Sequence, residues 1–498
     1  MESRVVGERE VKSALERLLS YLEPHWDFVN CHMVNYLTDN HWTHFVPEAL
    51  RLETSTAKEI NQIIEQQFWH SERDNLQFPA FANFLAECKR FRLEGCENAV
   101  LTSVEKLEQE LSVAMETQLS IKEFMSAKKC HEVEQTAALV DKLVQSVSQP
   151  AQKASCCIVD AGDGKGYLSS RLALQYGHRV LGIDSNESNT ENALTRNRKL
   201  QRAWNGLTER AELQSQGIIP PRRGKKAAQR ETNSVSHSSM ENYKTTARFI
   251  TTDINLDDLV TQHFEQHSNG ICLTGLHTCG NLATTCLQVF HAQNSCRILC
   301  NIGCCYHLLR ERYSHQEFFG NKVVMEQQTE YGFPLSRYLQ QKQLRLGRNA
   351  RMLAAQSIER TLAAKELPNI TLYYRALLEL LVCRHAPQLK NELQVGKVRK
   401  FGSFSEYVQK CAKKLNAPWL AAVEEAELQA LLKDHEQDRQ YLELFYLIRM
   451  SFAPVLESVI LLDRLLYLKE LGYEHSYLID LFDAVISPRH YAIVAIKQ

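Results

Sequence analysis

Apolar residues recur three and four positions apart along most of the first 120 residues, as in Leu15, Leu18 and Leu22. This period places them on one face of an amphipathic helix. The segment holds no group of residues typical of a catalytic site. The pattern therefore predicts a helical N-terminal domain, residues 1–120, that caps the remaining chain or binds a protein partner.

From about residue 150 the pattern changes to short β-rich runs that alternate with amphipathic stretches, which is typical of βαβ units and a parallel sheet. The predicted strands lie at 155–160, 178–184, 247–254, 271–276 and 297–302. The predicted helices between them lie at 166–176, 187–200 and 281–291. Two further strands, at 477–482 and 491–497, flank a Ser-Pro turn. Together they predict a Rossmann-like α/β core of seven strands, the last of them antiparallel.

This core occupies residues 121–310 and is completed by a helix and the strand hairpin at 456–498, with a helical insertion at 311–455. A polar segment at 214–246 interrupts the alternation and predicts a disordered insertion. Its six basic residues, against two acidic ones, are Arg222, Arg223, Lys225, Lys226, Arg230 and Lys244. A solvated loop, a nuclear-import signal and an electrostatic contact with RNA all fit this composition.

Composition excludes several classes of protein. Of the 498 residues, 44% are hydrophobic and 23% are charged, which excludes a largely disordered, collagen-like or coiled-coil chain. The formal net charge is −1, so any contact with nucleic acid must use local basic patches.

The charge pattern also bears on location. The first 19 residues carry charges where a secretory signal has an apolar run, and the apolar run at 456–468 is interrupted by Glu457, Asp463 and Arg464. We therefore expect no membrane segment. Many of the fifteen cysteines lie inside apolar runs, which favours reduced thiols in the cytoplasm or the nucleus.

A glycine loop lies where the first predicted strand meets the first predicted helix. Asp160, Gly162, Gly164 and Gly166 alternate with other residues, so the backbone can turn tightly and approach a ligand beside free helix N–H groups. Ligands of such sheets bind beyond the carboxyl ends of the strands. The loop is therefore the first candidate binding site.

Two common glycine motifs do not fit this loop. A dinucleotide fingerprint needs glycine where Tyr167 stands, and a Walker loop needs serine or threonine after Lys165. The remaining D-x-G-x-G-x-G pattern resembles the S-adenosylmethionine (SAM) loop of class I methyltransferases. Acidic surroundings also suit a cationic sulfonium better than they suit a pyrophosphate.

Two further acids follow predicted strands. Asp184 ends the second strand, where it could accept hydrogen bonds from ribose hydroxyls, and Asp253 ends the third, where it could meet the adenine amino group. An ordinary strand-end or helix-capping aspartate is the alternative for each. Combined with the loop and the terminal hairpin, both acids favour SAM binding.

Several longer motifs carry a resemblance to one family. They are MSAKKCHEV, VDAGDGKGYLSSRLA, TGLHTCGNLA, CNIGCCYHLL, YGFPLS, ARMLAAQ and SPRHYAIVAIK. Together, over about residues 120–498, they resemble the methyltransferase-like protein 25 family, whose members are also labelled ribosomal RNA adenine dimethylase domain-containing proteins. The resemblance implies a SAM-dependent methyltransferase acting on RNA. A weaker similarity, through H-x-C-G and C-C-x-H, points to the family that methylates the ribose 2′-oxygen of tRNA.

The chain departs from the adenine dimethylase pattern at one place. Enzymes that methylate the exocyclic adenine nitrogen typically carry an N/D-P-P-Y/F segment after the fourth strand, whereas this chain has Gly275–Gly280 (GLHTCG) there. The sequence therefore predicts a different chemistry.

Two histidines and three cysteines follow the fourth and fifth predicted strands, and parallel strands bring them to one edge. His277 or His307 could be a general base for a hydroxyl nucleophile, and a cysteine such as Cys305 could attack a pyrimidine. With Cys279 and Cys304 they could also bind zinc, or all five could be packed core residues. We take His277, Cys305 and His307 as candidate catalytic residues and expect no bound metal.

Two other segments are candidates for substrate contact. The aromatic residues of Tyr331–Ser336 could stack on a flipped base or on adenine, or form an ordinary turn that buries Phe333. The basic run Lys342 to Arg351 and the segment 390–400 could flank RNA or be solvated faces.

These observations lead to one functional hypothesis and two alternatives. The hypothesis is a SAM-dependent methyltransferase that acts on RNA, either tRNA or rRNA, through local basic segments. The first alternative is a protein methyltransferase whose partner binds the helical N-terminal domain. The second is a SAM-binding scaffold without turnover that acts through a protein partner.

Overall fold

The computed structural model describes residues 6–70, 77–96, 100–111, 121, 125–147, 156–218, 242–264, 269–314, 330–390, 392–393 and 395–497. These residues contain one mixed sheet of eight strands. In chain order, β1 to β8 are Leu101–Ser103, Cys157–Ala161, Val180–Asp184, Tyr243–Ala247, Ile271–Cys279, Cys296–Cys304, Ser476–Asp480 and Tyr491–Ile496. They lie in the order β1-β7-β8-β6-β5-β2-β3-β4. Only β8 runs antiparallel to its neighbours among these strands. The predicted Rossmann-like α/β class is confirmed.

Two predictions about individual strands are wrong. The sheet has an eighth strand, β1, which lies in the segment predicted as helical and pairs with the edge of β7. Its three residues are too few to show a period of two. The third predicted strand, 247–254, is instead β4, which ends at Ala247 because its ladder with β3 ends there at Asp184. Ile250 and Ile254 are buried in the turn that follows, which is why the run looks apolar enough for a strand.

The described residues also contain twenty-one α-helices. In chain order, α1 to α21 are Glu8–Leu22, Trp26–Asn30, His41–Phe45, Glu48–Leu52, Ala57–Ile63, Pro79–Arg90, Val104–Leu111, Ala127–Val147, Tyr167–Gln175, Glu187–Ser215, Leu256–His263, Leu282–Ala292, Arg337–Gln341, Arg348–Ala354, Ile358–Ala363, Thr371–His385, Phe404–Leu415, Pro418–Ala421, Glu425–Asp434, Asp438–Met450 and Ala453–Glu470. A π-helical turn, Ile64–Trp69, extends α5.

The chain divides into two compact units that do not follow chain order. The first comprises Met1–Leu19, Leu93–Ala355 and Glu457–Gln498, and the second comprises Ser20–Arg92 and Gln356–Leu456. The predicted boundary at 455 lies one residue from this division, whereas the predicted boundaries at 120 and 310 do not coincide with it. Helical periodicity shows which segments are helices, but it carries no information on which helices share a core.

The first unit is built around the sheet. Three strands are buried almost throughout: all of β2, all of β8 and the first four residues of β3. This is expected for strands covered on both faces. Helices α8 and α9 cover one face with Val133, Val140 and Leu172, which pack in the same core as Ile158 of β2 and Cys300 of β6. The order of the strands brings the carboxyl ends of β2, β3, β5 and β6 to one edge.

The second unit is helical and has an aromatic core. Phe28 packs against Phe445 and Phe452 with ring centroids 5.1 and 5.6 Å apart. The buried guanidinium of Arg449 donates a 2.6 Å hydrogen bond to the carbonyl oxygen of Val29. The protein partner expected for the N-terminal helices stays a prediction.

One helical run in the described residues is long and apolar enough to cross a membrane by length and composition. It is Asp438–Glu470, and 89% of its most apolar window is buried inside the protein. A core helix passes the same test. The expectation of no membrane partner stays a prediction.

A buried ion pair holds the segment that follows β6. The Arg351 side chain is 1% exposed and that of Glu311 is 0% exposed, and Arg351 Nε lies 2.6 Å from Glu311 Oε1. Glu311 also accepts hydrogen bonds from the backbone N–H groups of Leu346 (2.7 Å) and Gly347 (3.0 Å). Arg351 therefore does not lie on a solvated basic face.

We expect Glu311→Ala to lower the free energy of unfolding by about 3–5 kcal/mol, because it leaves the Arg351 charge buried without its partner. Urea denaturation of the full chain measures the change. Glu443→Ala is the control, since Glu443 pairs with Arg439, whose side chain is 52% exposed. Its loss should be about 0.5 kcal/mol. Equal losses in the two variants would contradict the role of the buried pair.

Candidate active site

The glycine loop follows β2 in a conformation that needs glycine. Gly162, Gly164 and Gly166 have φ values of +78°, +58° and +67°, in the left-handed region that side chains disfavour. The N–H of Gly162 donates a 2.8 Å hydrogen bond to the carbonyl oxygen of Ile183 on β3. A Cβ on Gly166 would clash with the Tyr243 hydroxyl. The loop is therefore held tightly against β3 and β4.

Two buried carboxyl groups support the loop from beneath. Ser169 Oγ lies 2.9 Å from Asp160 Oδ2 and 2.7 Å from Asp163 Oδ1, and the Tyr243 hydroxyl donates to Asp163. A hydroxyl carries one proton, so one of the two carboxyl groups must itself be protonated to complete both bonds. Burial and the charge of Asp163 raise the pKa of Asp160 well above its usual range, which agrees with a shared proton. Asp160 thus shapes the loop and is 2% exposed.

Asp184 lies at the end of β3 and is partly exposed. Its Oδ2 accepts a 2.9 Å hydrogen bond from the N–H of Gly164, and its Oδ1 accepts from the N–H of Asn186 at 2.8 Å and from Asn189 Nδ2 at 3.1 Å. The structure therefore places Asp184 beside the glycine loop. Its contact with ribose stays a prediction.

Asp253 does not end a strand. It is exposed in the turn between β4 and α11, and hydrogen bonds from Thr251 and from its own backbone lower the pKa of its carboxyl group. The structure does not bring it into the hydrogen-bond network of the glycine loop described above. Its contact with adenine stays a prediction.

His277 on β5 pairs with an acid that the sequence analysis overlooks. His277 Nε2 lies 3.3 Å from Glu132 Oε2 on α8, and Ser487 donates a 2.8 Å hydrogen bond to Glu132 Oε1. Burial raises the pKa of Glu132, but hydrogen bonds from His277 and Ser487 outweigh it and bring the pKa to about 2. Because an ionised carboxylate only accepts, Nε2 carries the proton that faces Glu132.

This pair lies next to the glycine loop. A Cβ on Gly162 would be 3.8 Å from the carbonyl oxygen of His277. Lys129 on α8 is half-buried. Burial lowers the pKa of its ammonium group, and the nearby charges of Glu132 and Asp160 oppose this effect. Lys129 therefore brings a cation to the same edge of the sheet.

The cysteines at the ends of β5 and β6 form a cluster. Cys279 Sγ lies 3.2 Å from Cys304 Sγ and 3.5 Å from Cys305 Sγ. Hydrogen bonds from Cys279 and Cys304 lower the pKa of Cys305. His307 is half-buried beside this cluster, and burial lowers the pKa of its imidazole. His277, Cys305 and His307, the predicted catalytic set, thus lie at the same sheet edge.

An exposed aromatic residue lies on the segment after the cluster. The Tyr331 ring is 36% exposed, and the guanidinium carbons of Arg310 and Arg312 lie 5.1 and 5.2 Å from its centroid. Asn281, two residues beyond Cys279, accepts a hydrogen bond from the N–H of Arg310 at 2.9 Å and so ties this segment to the end of β5. Phe333 is 1% exposed and cannot stack on a ligand.

Sequence reasoning misses four residues of this edge, Lys129, Glu132, Asp163 and Tyr243. Lys129 and Glu132 stand three positions apart on α8, so they share a face, and both belong to the MSAKKCHEV motif. That spacing is a signal the sequence analysis leaves unused. Of the predicted disordered insertion, 214–246, residues 219–241 lie outside the described residues, and residues 243–246 form part of β4 because they pair with β3.

Comparisons of the sequence with known proteins identify a methyltransferase domain and similar proteins. A family profile described as "Methyltransferase domain" matches residues 128–312. "Probable methyltransferase-like protein 25" of Homo sapiens is 28% identical over an alignment that covers 98% of this chain and 97% of that protein. The protein of the same name from Mus musculus is 28% identical, with 97% and 96% covered. The resemblance predicted from the sequence is confirmed.

The crowding of the glycine loop leads to a prediction. Gly166→Ala should lower the free energy of unfolding by about 2–4 kcal/mol, from left-handed strain together with the clash against Tyr243. Gly177→Ala is the matched control, because Gly177 has φ +73° and no atom within 4 Å of the added Cβ. Urea denaturation should show a loss of only about 1 kcal/mol there. A larger loss in the control would mean that strain alone sets the requirement for glycine.

Proposed function

We propose that this chain, which carries a methyltransferase domain, uses SAM to methylate a hydroxyl group of RNA. The observation that carries the proposal is the His277–Glu132 pair beside the glycine loop. A histidine held by an ionised carboxylate is an arrangement that accepts a proton from a hydroxyl nucleophile. The absence of a proline-aromatic grip after β5 argues against an exocyclic amine as the acceptor.

The residues at the sheet edge fit SAM as the methyl donor. SAM supplies a methyl group on a sulfonium, together with a carboxylate and ribose hydroxyls by which it is recognised. Lys129 provides a cation for the carboxylate, and Asp184 Oδ2, which accepts one hydrogen bond from Gly164, provides its second lone pair for the ribose. Gly162 and Gly164 allow a ligand to approach the backbone without a Cβ in the way.

His277 Nδ1 would take the proton of the attacking hydroxyl. Glu132 keeps the ring oriented through Nε2 and stabilises the positive charge that the imidazole gains, because its low pKa keeps it ionised. General base catalysis of this kind contributes about 10²–10⁴-fold to a rate. The larger part of the rate enhancement comes from alignment of the attacking hydroxyl with the methyl group.

RNA is the proposed substrate because of the surface around Tyr331. The Tyr331 ring and the two guanidinium groups over it, those of Arg310 and Arg312, offer planar groups on which an unstacked base can stack and cations for phosphates. Lys342 and Arg345, both exposed, extend the positive charge along the chain. A local patch of this kind is what a chain with a net charge of −1 requires for RNA.

The proposed cofactor contacts are tested by titration calorimetry with SAM and S-adenosylhomocysteine. Lys129→Ala and Asp184→Asn should each weaken SAM binding by about 10–100-fold, the worth of a charged hydrogen bond. Lys142→Ala is the control, since Lys142 also lies on α8 and contacts Gln145. Asp253→Asn tests the predicted adenine contact separately. Unchanged affinity in the first two variants would contradict the placement of SAM.

The proposed base is tested by transfer of a labelled methyl group to RNA. His277→Ala should lower kcat by about 10²–10⁴-fold without changing SAM affinity, and Glu132→Gln should lower it less. His291→Ala is the control, because the exposed His291 lies on α12 and bonds Tyr473. Nuclease digestion should give a ribose-methylated nucleotide. Label only in a base or in protein would refute the proposed acceptor.

We make a separate prediction for Tyr331, the proposed site of base stacking. Tyr331→Ala should raise the KM for RNA by about tenfold or more, whereas Tyr331→Phe should retain most of the affinity, because base stacking on an aromatic ring is worth about 1–3 kcal/mol. Steady-state kinetics at two salt concentrations measure both variants. An equal KM for Tyr331→Ala and the wild type would place the RNA elsewhere.

A further inference from the structure

Three thiol groups converge at the carboxyl edge of the sheet, on the two neighbouring strands β5 and β6. The sulfur atoms of Cys279, Cys304 and Cys305 all lie within 4.8 Å of one another. Cys279 is exposed, Cys305 is half-buried and Cys304 is buried. The proposed methyl transfer gives none of these thiols a task.

The backbone explains why the three sulfur atoms meet. Cys279 and Cys304 are register partners at the ends of the parallel strands β5 and β6, so their side chains lie side by side. Cys305 follows directly and would point to the opposite face in a regular strand. Its φ of +53° is left-handed, which is unfavourable for a residue with a Cβ, and this turn brings its sulfur atom to the other two.

The spacing of the sulfur atoms matches a metal site. A tetrahedral zinc ion with bonds of about 2.3 Å to thiolates holds their sulfur atoms about 3.8 Å apart. The contacts of 3.2 and 3.5 Å made by Cys279 are close to that separation. Three sulfur ligands select zinc over harder divalent cations such as magnesium or calcium.

A candidate fourth ligand lies outside the group of three close sulfur atoms but near it along the chain, and a buried countercharge packs beside β6. His307 follows Cys305 by two residues on the 3₁₀ turn Tyr306–Leu308 and would complete a Cys₃His set. Arg464 is 1% exposed, and its guanidinium nitrogen atoms have no hydrogen-bond partner among the described residues. It packs against Gly303, the residue before Cys304, and over the ring of Tyr306 at 5.6 Å.

The charge of Arg464 fits a metal-bound cluster. Zinc with three thiolates and a neutral imidazole carries one net negative charge. Burial lowers the pKa of Arg464 and the charges of Asp463 and Glu457 oppose this, yet both acids accept their hydrogen bonds from other groups: Asp463 from the N–H groups of Leu335 and Ser336, and Glu457 from Tyr306 and Arg489. A thiolate centre beside Gly303 would neutralise the guanidinium.

We infer that Cys279, Cys304, Cys305 and His307 bind a zinc ion that joins the ends of β5 and β6. Binding exchanges the thiol protons for the metal and releases them to solvent. The site leaves His277 free and does not depend on the proposed methyl transfer. It departs from the expectation of no bound metal, because adjacent cysteines in the sequence do not reveal the left-handed turn that gathers them.

The test is the zinc content of the full-length chain, purified under reducing conditions without chelator and measured by plasma mass spectrometry. We expect about one zinc ion per chain. The double variant Cys279→Ser/Cys304→Ser should hold less than about a tenth of that amount. Cys383→Ser is the control, since Cys383 is a half-buried cysteine of the second unit, and it should retain the metal. A wild type without zinc would overturn the inference.

Two further measurements keep the test independent of misfolding. In the wild type, Cys279 and Cys305 should react with an alkylating reagent only after a chelator has removed zinc, whereas Cys383 should react equally before and after. Alkylation of Cys279 and Cys305 at the same rate before and after the chelator would overturn the inference. His307→Ala should weaken zinc binding in competition with a chelator, and His277→Ala should not. Weaker zinc binding in His277→Ala but not in His307→Ala would refute His307 as the fourth ligand.

Discussion

One buried carboxylate, that of Glu132, connects three separate parts of the sheet edge. It is 1% exposed on α8 and accepts hydrogen bonds from His277 on β5 and from Ser487 in the segment before β8. A buried charge is costly unless its partners are in place, so α8, β5 and the C-terminal hairpin must assemble together around it. The same contact orients the proposed base, which links the stability of this edge to its chemistry.

Burial separates the roles of the acids near the glycine loop. Asp160 and Asp163 are nearly inaccessible and share hydrogen bonds with Ser169, so they support the backbone of the loop. Asp184 is partly exposed and keeps accepting capacity beyond its backbone contacts. In the linear motif these acids look alike. Their depth in the sheet decides which of them is available to a ligand.

The wrong predictions and the overlooked residues share one cause. Asp253 looks like a strand-end residue because Ile250 and Ile254 are apolar, yet the pairing of β4 with β3 ends at Ala247. The strand β1 escapes notice because three residues show no period. Glu132 escapes notice because its partner lies on a strand distant in sequence. In each case the deciding contact is between segments far apart along the chain.

Local patterns were sufficient for the class of the fold, the positions of most strands, the glycine loop and the residues that follow β5 and β6. These depend on hydrophobic period and on backbone preferences of neighbouring residues, which the chain displays in order. Folding in three dimensions was needed to pair His277 with Glu132, to bury Arg351 and to gather Cys279, Cys304 and Cys305. Those arrangements depend on register, burial and one left-handed turn, which arise only when distant segments pack against each other.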